Sequence, residues 1–374
     1  MKRLILLLFL ALINNTFSQN LIDSIGTDSL IDSLYLENSK DEIVNIYNPL
    51  MPPNTYSNND NPNYWKNKMP YAGYWQQDVH YKINAELIDQ KNLIQGTEEL
   101  HYTNNSPDDL NYLFFHLYIN AFEPDSYLDK FRTSNKMKSI YREDEKKKQG
   151  IEILSVKSND EILDIEIDNT IMKVYLKEPV KSGETVIVNI DFESHFGGNE
   201  ETGNVRRRMK MYEEFGNKHY NGVHWYPRVS VYDRKFGWTT DQHLGKEFYG
   251  DFGCFDVELT LPSNYILEAT GFMINREEML PKELMKKLDI KNFANKKYNS
   301  PPSTIIKYNP NKKKTWKFHA ENVHDFSFTA DPSYRIGISE WNGIKCYSLA
   351  QEQHASKWQN AADYAAQIIQ VFSE

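Results

Sequence analysis

Cysteine is nearly absent from this chain: two residues, Cys254 and Cys346, in 374. Two cysteines cannot build a disulfide scaffold, and these two are not spaced as a zinc pair. Cys254 sits in an alternating strand pattern that suits a buried free thiol, and an exported chain also permits a disulfide between the two. Positive charge is not in excess. The formal net charge is −9, which argues against binding a nucleic-acid backbone. There is no internal repeat, no Gly-x-Ser-x-Gly nucleophile elbow and no glycine-rich phosphate loop. After the first 18 residues no apolar run is long enough to span a membrane.

Histidine is present but not in a metal-binding order. A helical zinc site needs two His four apart with Glu after the first, so that both rings share one face and the carboxylate activates the metal-bound water. None of the ten His is followed by Glu, and no two are four apart. His219/His224 and His319/His324 are each five apart, which turns the second ring off the shared face.

The start reads as an export signal. Lys2 and Arg3 precede the apolar run from Leu4 to Ile13, and Thr16, Phe17 and Ser18 supply a cleavage site. Residues 1–18 are therefore expected to be a signal peptide, placing the product in the periplasm or outside the cell with no membrane span once it is removed. Residues 19–68 are rich in Asn, Asp, Ser and Pro and read as a flexible linker.

From Trp75 the pattern changes. Apolar content is 40 % and aromatic content 13 %, a mix suited to pleated, half-buried surfaces. Val79, Tyr81, Ile83, Ala85 and Leu87 alternate with polar residues, predicting a strand with one face buried. Ile94–Tyr102 reads as its partner across a polar turn at residues 89–92. Further strands are expected near Leu113–Ile119, Ile151–Val156, Met172–Leu176, Val186–Phe192, Phe255–Leu261, Tyr265–Thr270, Thr315–His319 and Asp325–Thr329. Strands in succession without long helices imply antiparallel sheets. Residues 274–313 interrupt them as an insertion with a short helix over Pro281–Leu288, and the basic stretch Lys296–Lys314 reads as solvated surface. At the end, Trp358, Ala362, Ala365, Ile369 and Phe372 share one face of an amphipathic helix, with Ser356 as its cap. That helix is still running at Glu374, so the domain reads as cut short and its apolar face as uncovered.

One region is dense in chemistry-bearing residues. Residues 220–251 hold His224, Trp225, Tyr226, Arg228, Tyr232, Asp233, Trp238, Asp241 and His243. Such a cluster lines a binding cleft or packs a set of loops.

The block NGVHWYPRVSVYD…GW…D…EFYGDFGCFDVELTLP resembles the amino-terminal domain of aminopeptidase N-like zinc metallopeptidases, the gluzincins related to leukotriene hydrolase, in an exported bacterial branch. YWQQDVHYKINAELI, LKEPVKSGETVIVNIDFESHF and AENVHDFSFTADPSY agree in order, so the resemblance spans roughly residues 69–374. It implies a saddle-like, antiparallel β-sandwich domain over 69–337. The truncated start of an α/β thermolysin-like catalytic domain would follow over 338–374, its first strand at Ile338–Leu349 and first helix at Glu352–Phe372. It implies peptide substrates and a zinc cofactor in the longer enzyme. The zinc-binding and amino-end-binding motifs would come after residue 374, leaving this stretch with no catalytic residue, no bound metal and no activity alone. By position it implies that His224 and Trp225, with Gly222 and Tyr226 beside them, approach the substrate's first side chain. The other reading is a secreted, non-catalytic β domain that binds peptides or a partner.

Overall fold

The computed structural model describes residues 73–137, 141, 145–147, 149–197, 209–245 and 248–373. The signal-peptide and linker expectations fall outside them.

The alternation after Trp75 forms β1 (Asp78–Ile88) and β2 (Leu93–Thr103), paired antiparallel through all eleven residues of each. Asn92, at a φ of 52°, closes the turn between them, a conformation Asn tolerates better than most residues. The following labelled strands are β3 (Leu110–His116), β4 (Ile151–Ser158), β5 (Ile171–Val180), β6 (Thr185–His195), β7 (Lys210–Glu214), β8 (Asn217–Gly222), β9 (Gly253–Pro262), β10 (Ile266–Ala269), β11 (Lys313–Val323), β12 (Phe328–Asp331), β13 (Tyr334–Trp341) and β14 (Ile344–Gln351).

An eight-stranded sheet runs Phe272–Met273, β11, β9, β1, β2, β6, β4, Glu161–Ile162. A four-stranded sheet runs β10, β12, β8, β7, and a second runs Arg228–Val229, β3, β5, Ile165–Asp168. Their inward-facing residues share one core, with Tyr81, Leu100, Phe192, Trp225, Phe255, Trp316 and Phe328 among its members. The fold is mainly β, as the alternation predicts. It departs from all-antiparallel order at its centre, where β1 and β9 pair parallel, His80 beside Cys254 through Glu86 beside Thr260. A parallel pair needs a long crossover, and here the strands between β2 and β9 provide it.

Three boundaries also differ from expectation. Leu117 leaves β3 and a 3-10 turn takes over at Tyr118–Phe122, so the two-sided apolar run is only partly strand. The segment expected as one strand near Ile338–Leu349 is the β13–β14 hairpin, turned at Asn342 and Gly343, both at positive φ. The terminal helix does not start at Ser356, because Glu352–Lys357 is a 3-10 turn and the α-helix runs Ala361–Ser373. Ala362 and Ala366 are its buried residues, while Trp358, Ile368, Val371 and Phe372 are exposed.

The segment 274–313 contains the expected helix, Lys282–Leu288, with Pro281 at its cap position. Its basic part is not merely solvated. Lys296 Nζ lies 2.7 Å from Glu352 Oε1, and Ser303 donates to the same carboxylate through its backbone N–H at 2.9 Å and its hydroxyl at 2.6 Å. Buried Arg335 completes the group, its Nε donating to Glu352 Oε2 at 2.9 Å. A buried carboxylate needs such partners, and they pin the segment to the β13–β14 hairpin. Cys254 and Cys346 are both free.

Candidate functional site

The loop after β8 is fixed from both sides. A Cβ on Gly222 would sit 2.1 Å from the Phe328 ring, so the absence of a side chain here lets that ring lie across β8. His224 follows at a φ of 55°, a conformation that costs a non-glycine residue free energy and persists where its surroundings hold it. Its ring lies against Phe248, with centroids 3.9 Å apart, and against Tyr118 at 5.0 Å. Nδ1 is 2.9 Å from Asp325 Oδ2, although the approach is poorly aligned for a hydrogen bond and neither ring nitrogen has a hydrogen-bond partner.

Trp225 and Tyr226 turn inward. The Trp225 indole donates to the Phe326 carbonyl at 3.1 Å, and the Tyr226 hydroxyl donates to Asp325 Oδ1 at 2.7 Å. Asp325 is thus the anchor of the loop. Burial alone would raise its pKa, but His224, the Arg228 charge and the Tyr226 hydrogen bond outweigh that and hold it below the usual carboxylate range. Burial pushes the Tyr226 phenol well above its ordinary pKa, and the Asp325 charge adds to this. Tyr226→Phe should therefore cost about 1.5 kcal/mol, the worth of a hydrogen bond to a charged group. Urea unfolding measures it, and an unchanged midpoint would remove Asp325 as the anchor.

Arg228 is equally enclosed. Its Nη2 donates to the Asp251 carbonyl at 3.2 Å, and a Cβ on Gly250 would overlap that nitrogen at 2.0 Å. Burial, with Arg228 nearby, pushes the His116 imidazole down to about 3, so it is neutral at ordinary pH. Burial pushes the Asp251 carboxyl up to about 7, with Arg228 opposing.

All four expected substrate-contacting residues, Gly222, His224, Trp225 and Tyr226, are buried. The structure brings them together as the inner wall of the loop. Tyr232, Asp233 and Trp238 pack locally: the Tyr232 and Trp238 rings are 4.9 Å apart, and the Tyr232 hydroxyl donates to Asp108 at 2.7 Å. What opens to the outside is the surface beside the loop. Asn221 and Val223, which flank Gly222, line a wide, shallow surface hollow with Lys210, Glu268, Thr270, Ser327, Thr329 and Leu349. Among the described residues no three His, Cys, Asp or Glu side chains are placed to hold a metal ion, and no helix is long and apolar enough to cross a membrane.

Asp325 and the residues lining the hollow are functional candidates that spacing alone does not reveal. Asp325 does lie inside one of the stretches that carry the resemblance, so a signal for it existed. The hollow's residues come largely from strands whose pairing register is invisible in sequence.

No protein-family model matches this chain, and no curated protein matches it. Solved structures similar to it are zinc metallopeptidases. One is an M1 zinc metallopeptidase from Deinococcus radiodurans, at 13 % identity and a TM-score of 0.38, matching over 73 % of this chain and 47 % of that one. Another is a two-domain M1 zinc metallopeptidase bound to L-arginine, at 12 % identity and a TM-score of 0.39, over 75 % and 49 %. This chain spans about half the length of the structures it matches.

Proposed function

We propose that this chain is the amino-terminal part of an exported, zinc-dependent metallopeptidase that acts on peptides in the manner of an aminopeptidase. The observation that carries the reading is a convergence. Three stretches that resemble this family, far apart in sequence, meet at one place. Tyr81 of the first accepts a hydrogen bond from the Val229 backbone at 3.1 Å. Trp225 and Tyr226 of the second bond to Phe326 and Asp325 of the third. Segments that agree with one family in order and also pack on one another are better support than any motif alone.

In this reading His224, Trp225, Gly222 and Tyr226 are positioning residues. They hold the loop so that Asn221 and Val223 face the peptide. Hydrolysis in such an enzyme uses a metal-activated water. The side chains described here do not form a site for that metal, so none of them is given a step of the reaction. The zinc ligands and the amino-end-binding motif belong to sequence that the resemblance places after residue 374, with residues 338–374 opening the catalytic domain. Export rests on residues 1–18.

The test is to read the source DNA past codon 374 and express the whole open frame. The expected result is a frame encoding Gly-x-Met-Glu-Asn and then His-Glu-x-x-His, and a product that releases amino-terminal residues from peptides and stops when zinc is chelated. A product with no zinc and no peptidase activity would overturn the proposal.

A further inference from the structure

The outward face of the large sheet carries a chain of carboxylates and imidazoles across three strands. Strand register places Asp256 of β9 opposite His319 of β11. Asp256 Oδ1 lies 2.7 Å from His319 Nδ1, and its Oδ2 lies 2.7 Å from His80 Nε2 on β1. The second nitrogen of the same ring, His319 Nε2, is 3.2 Å from Glu321 Oε1. Both nitrogens of one imidazole therefore face carboxylate oxygens. A neutral imidazole donates from one nitrogen only and would set the other lone pair against a carboxylate, whereas an imidazolium donates from both.

Among the described residues around this ring, no uncommitted lysine or arginine supplies the charge instead. Lys82 of β1 pairs with Glu99 at 2.9 Å, and Lys317 of β11 pairs with Glu258 at 2.7 Å. On β2, His101 also bonds Glu99, at 2.6 Å. Asp78, at the start of β1, accepts from Asn105 at 2.9 Å. Burial raises the Cys254 thiol pKa, so that group stays neutral. On the far side His319 neighbours Phe272, which carries no charge. Glu321 Oε2 is buried without a hydrogen-bond partner, so His319 is what holds that carboxylate in place.

The chain sits where β11 changes course. Val323 stands opposite Gly253 and Ala320 opposite Phe255, so Glu321 and Asn322 together face the single residue Cys254. This is a β-bulge, a device that re-aims the chain, and Asn322 takes the turn at a φ of 53°. Just beyond it is Asp325, which holds Tyr226 and His224.

We propose that Glu321, His319, Asp256 and His80 form a proton-held clasp: protonated His319 locks the bulged end of β11 onto β9 and β1, and loss of that proton as pH rises loosens the bulge and the Asp325 anchor beyond it. The clasp is a property of the fold and is independent of the peptidase reading. Burial would lower the His319 pKa, but its bonds to Asp256 and Glu321 outweigh that and raise it. A raised histidine contributes stability that is complete below its unfolded-state value and is lost as pH rises through the folded-state value. Burial would raise the Asp256 pKa, but His319 and His80 outweigh that and lower it, so the clasp persists into mild acid.

Two measurements on the 374-residue chain test this. In an imidazole proton-resonance titration, with His319 assigned by its loss in His319→Gln, the His319 midpoint is expected above about 6.5 and lower in Glu321→Gln. Hydrogen exchange, corrected for the intrinsic effect of pH, should show protection over 320–326 falling about tenfold between about pH 6 and about pH 9, the worth of one charge-assisted bond. Protection in β4, in the same sheet, should hold. In His319→Gln, protection over 320–326 should be low at both pH values. The wild-type exchange profile decides without any variant. A His319 midpoint at or below about 6.5, unchanged protection over 320–326, a fall of equal size in β4, or the same fall in His319→Gln overturns the proposal.

Discussion

Glu352→Ala should cost about 3–5 kcal/mol of stability, the expected loss when one member of a buried ion group is removed. Arg335 is 0 % exposed and Glu352 1 %. The carboxylate takes Arg335, Lys296 and two donors from Ser303. Arg335 also donates to the Tyr334 and Ser303 carbonyls, at 2.7 and 2.9 Å. Without Glu352 two cations face each other with no counter-charge between them. The thermal midpoint should fall by about 10 °C, and segment 294–306 should lose hydrogen-exchange protection first. Replacing Arg335 and Glu352 together with Met should recover much of the loss, because the damage comes from the stranded charge rather than the missing bond. A single-variant loss under about 1 kcal/mol would show that the group is not coupled to folding.

The pH dependence has a definite sign. Burial would raise the Glu352 pKa, but Lys296, Ser303 and Arg335 outweigh it and hold the carboxyl below its usual range. A depressed carboxylate contributes stability that is complete above the unfolded-state value and is lost as pH falls through the folded-state value. The wild-type advantage over Glu352→Ala should therefore shrink in acid and be full at neutral pH.

The second large effect runs the other way. Glu98→Met should stabilise the protein by about 2–4 kcal/mol. Glu98 lies in the centre of β2, is 0 % exposed, and sits opposite Ile83 and Ile190. Neither carboxyl oxygen has a hydrogen-bond partner. Each orphaned polar atom costs about 1–3 kcal/mol, and Met is an unbranched replacement that adapts to the same space. Burial holds the Glu98 pKa well above its ordinary value. The folded chain therefore keeps a proton that the unfolded chain releases, and stability falls as pH rises from the unfolded value toward the folded one. The gain from Glu98→Met should be larger at pH 8 than at pH 4 in urea unfolding. A destabilised variant would mean that an internal partner for Glu98 exists.

Glu98 also shows what the sequence makes legible and what it does not. Ile94, Leu100 and Tyr102 share its phase in β2, and all are buried. The period of two thus places position 98 inside, although its residue type argues for outside. Period was the better guide, because a strand cannot turn one residue over without a bulge. The same logic made most strands readable, and Pro281 marked the start of the helix that runs Lys282–Leu288. Near the end the pattern reads through a break: the apolar spacing from Trp358 to Phe372 is real, but the preceding turn is 3-10, and its first residue, Glu352, bonds Arg335. That partner is close in space, and no local rule reveals it. For the candidate site, the loop residues 222–226 were legible as a cluster but not as an inward-facing one. The hollow beside that loop, lined by Lys210, Asn221, Glu268 and Thr329, required pairing registers among four strands, which no single strand encodes.

The parallel neighbour of β1 has a consequence for how the chain acquires its fold. β1 meets β2 after a four-residue turn, but its other edge waits for β9, which begins at Gly253. On a ribosome adding about 5–20 residues per second, that edge stays unpaired for on the order of ten seconds. Long-range strand pairing of this kind slows folding, and an open edge beside the forming core is a place for a second nascent chain to add. Of the polar outward positions of β1, Lys82 and Glu86 put charge on the sheet face beside that edge, a feature that discourages such addition.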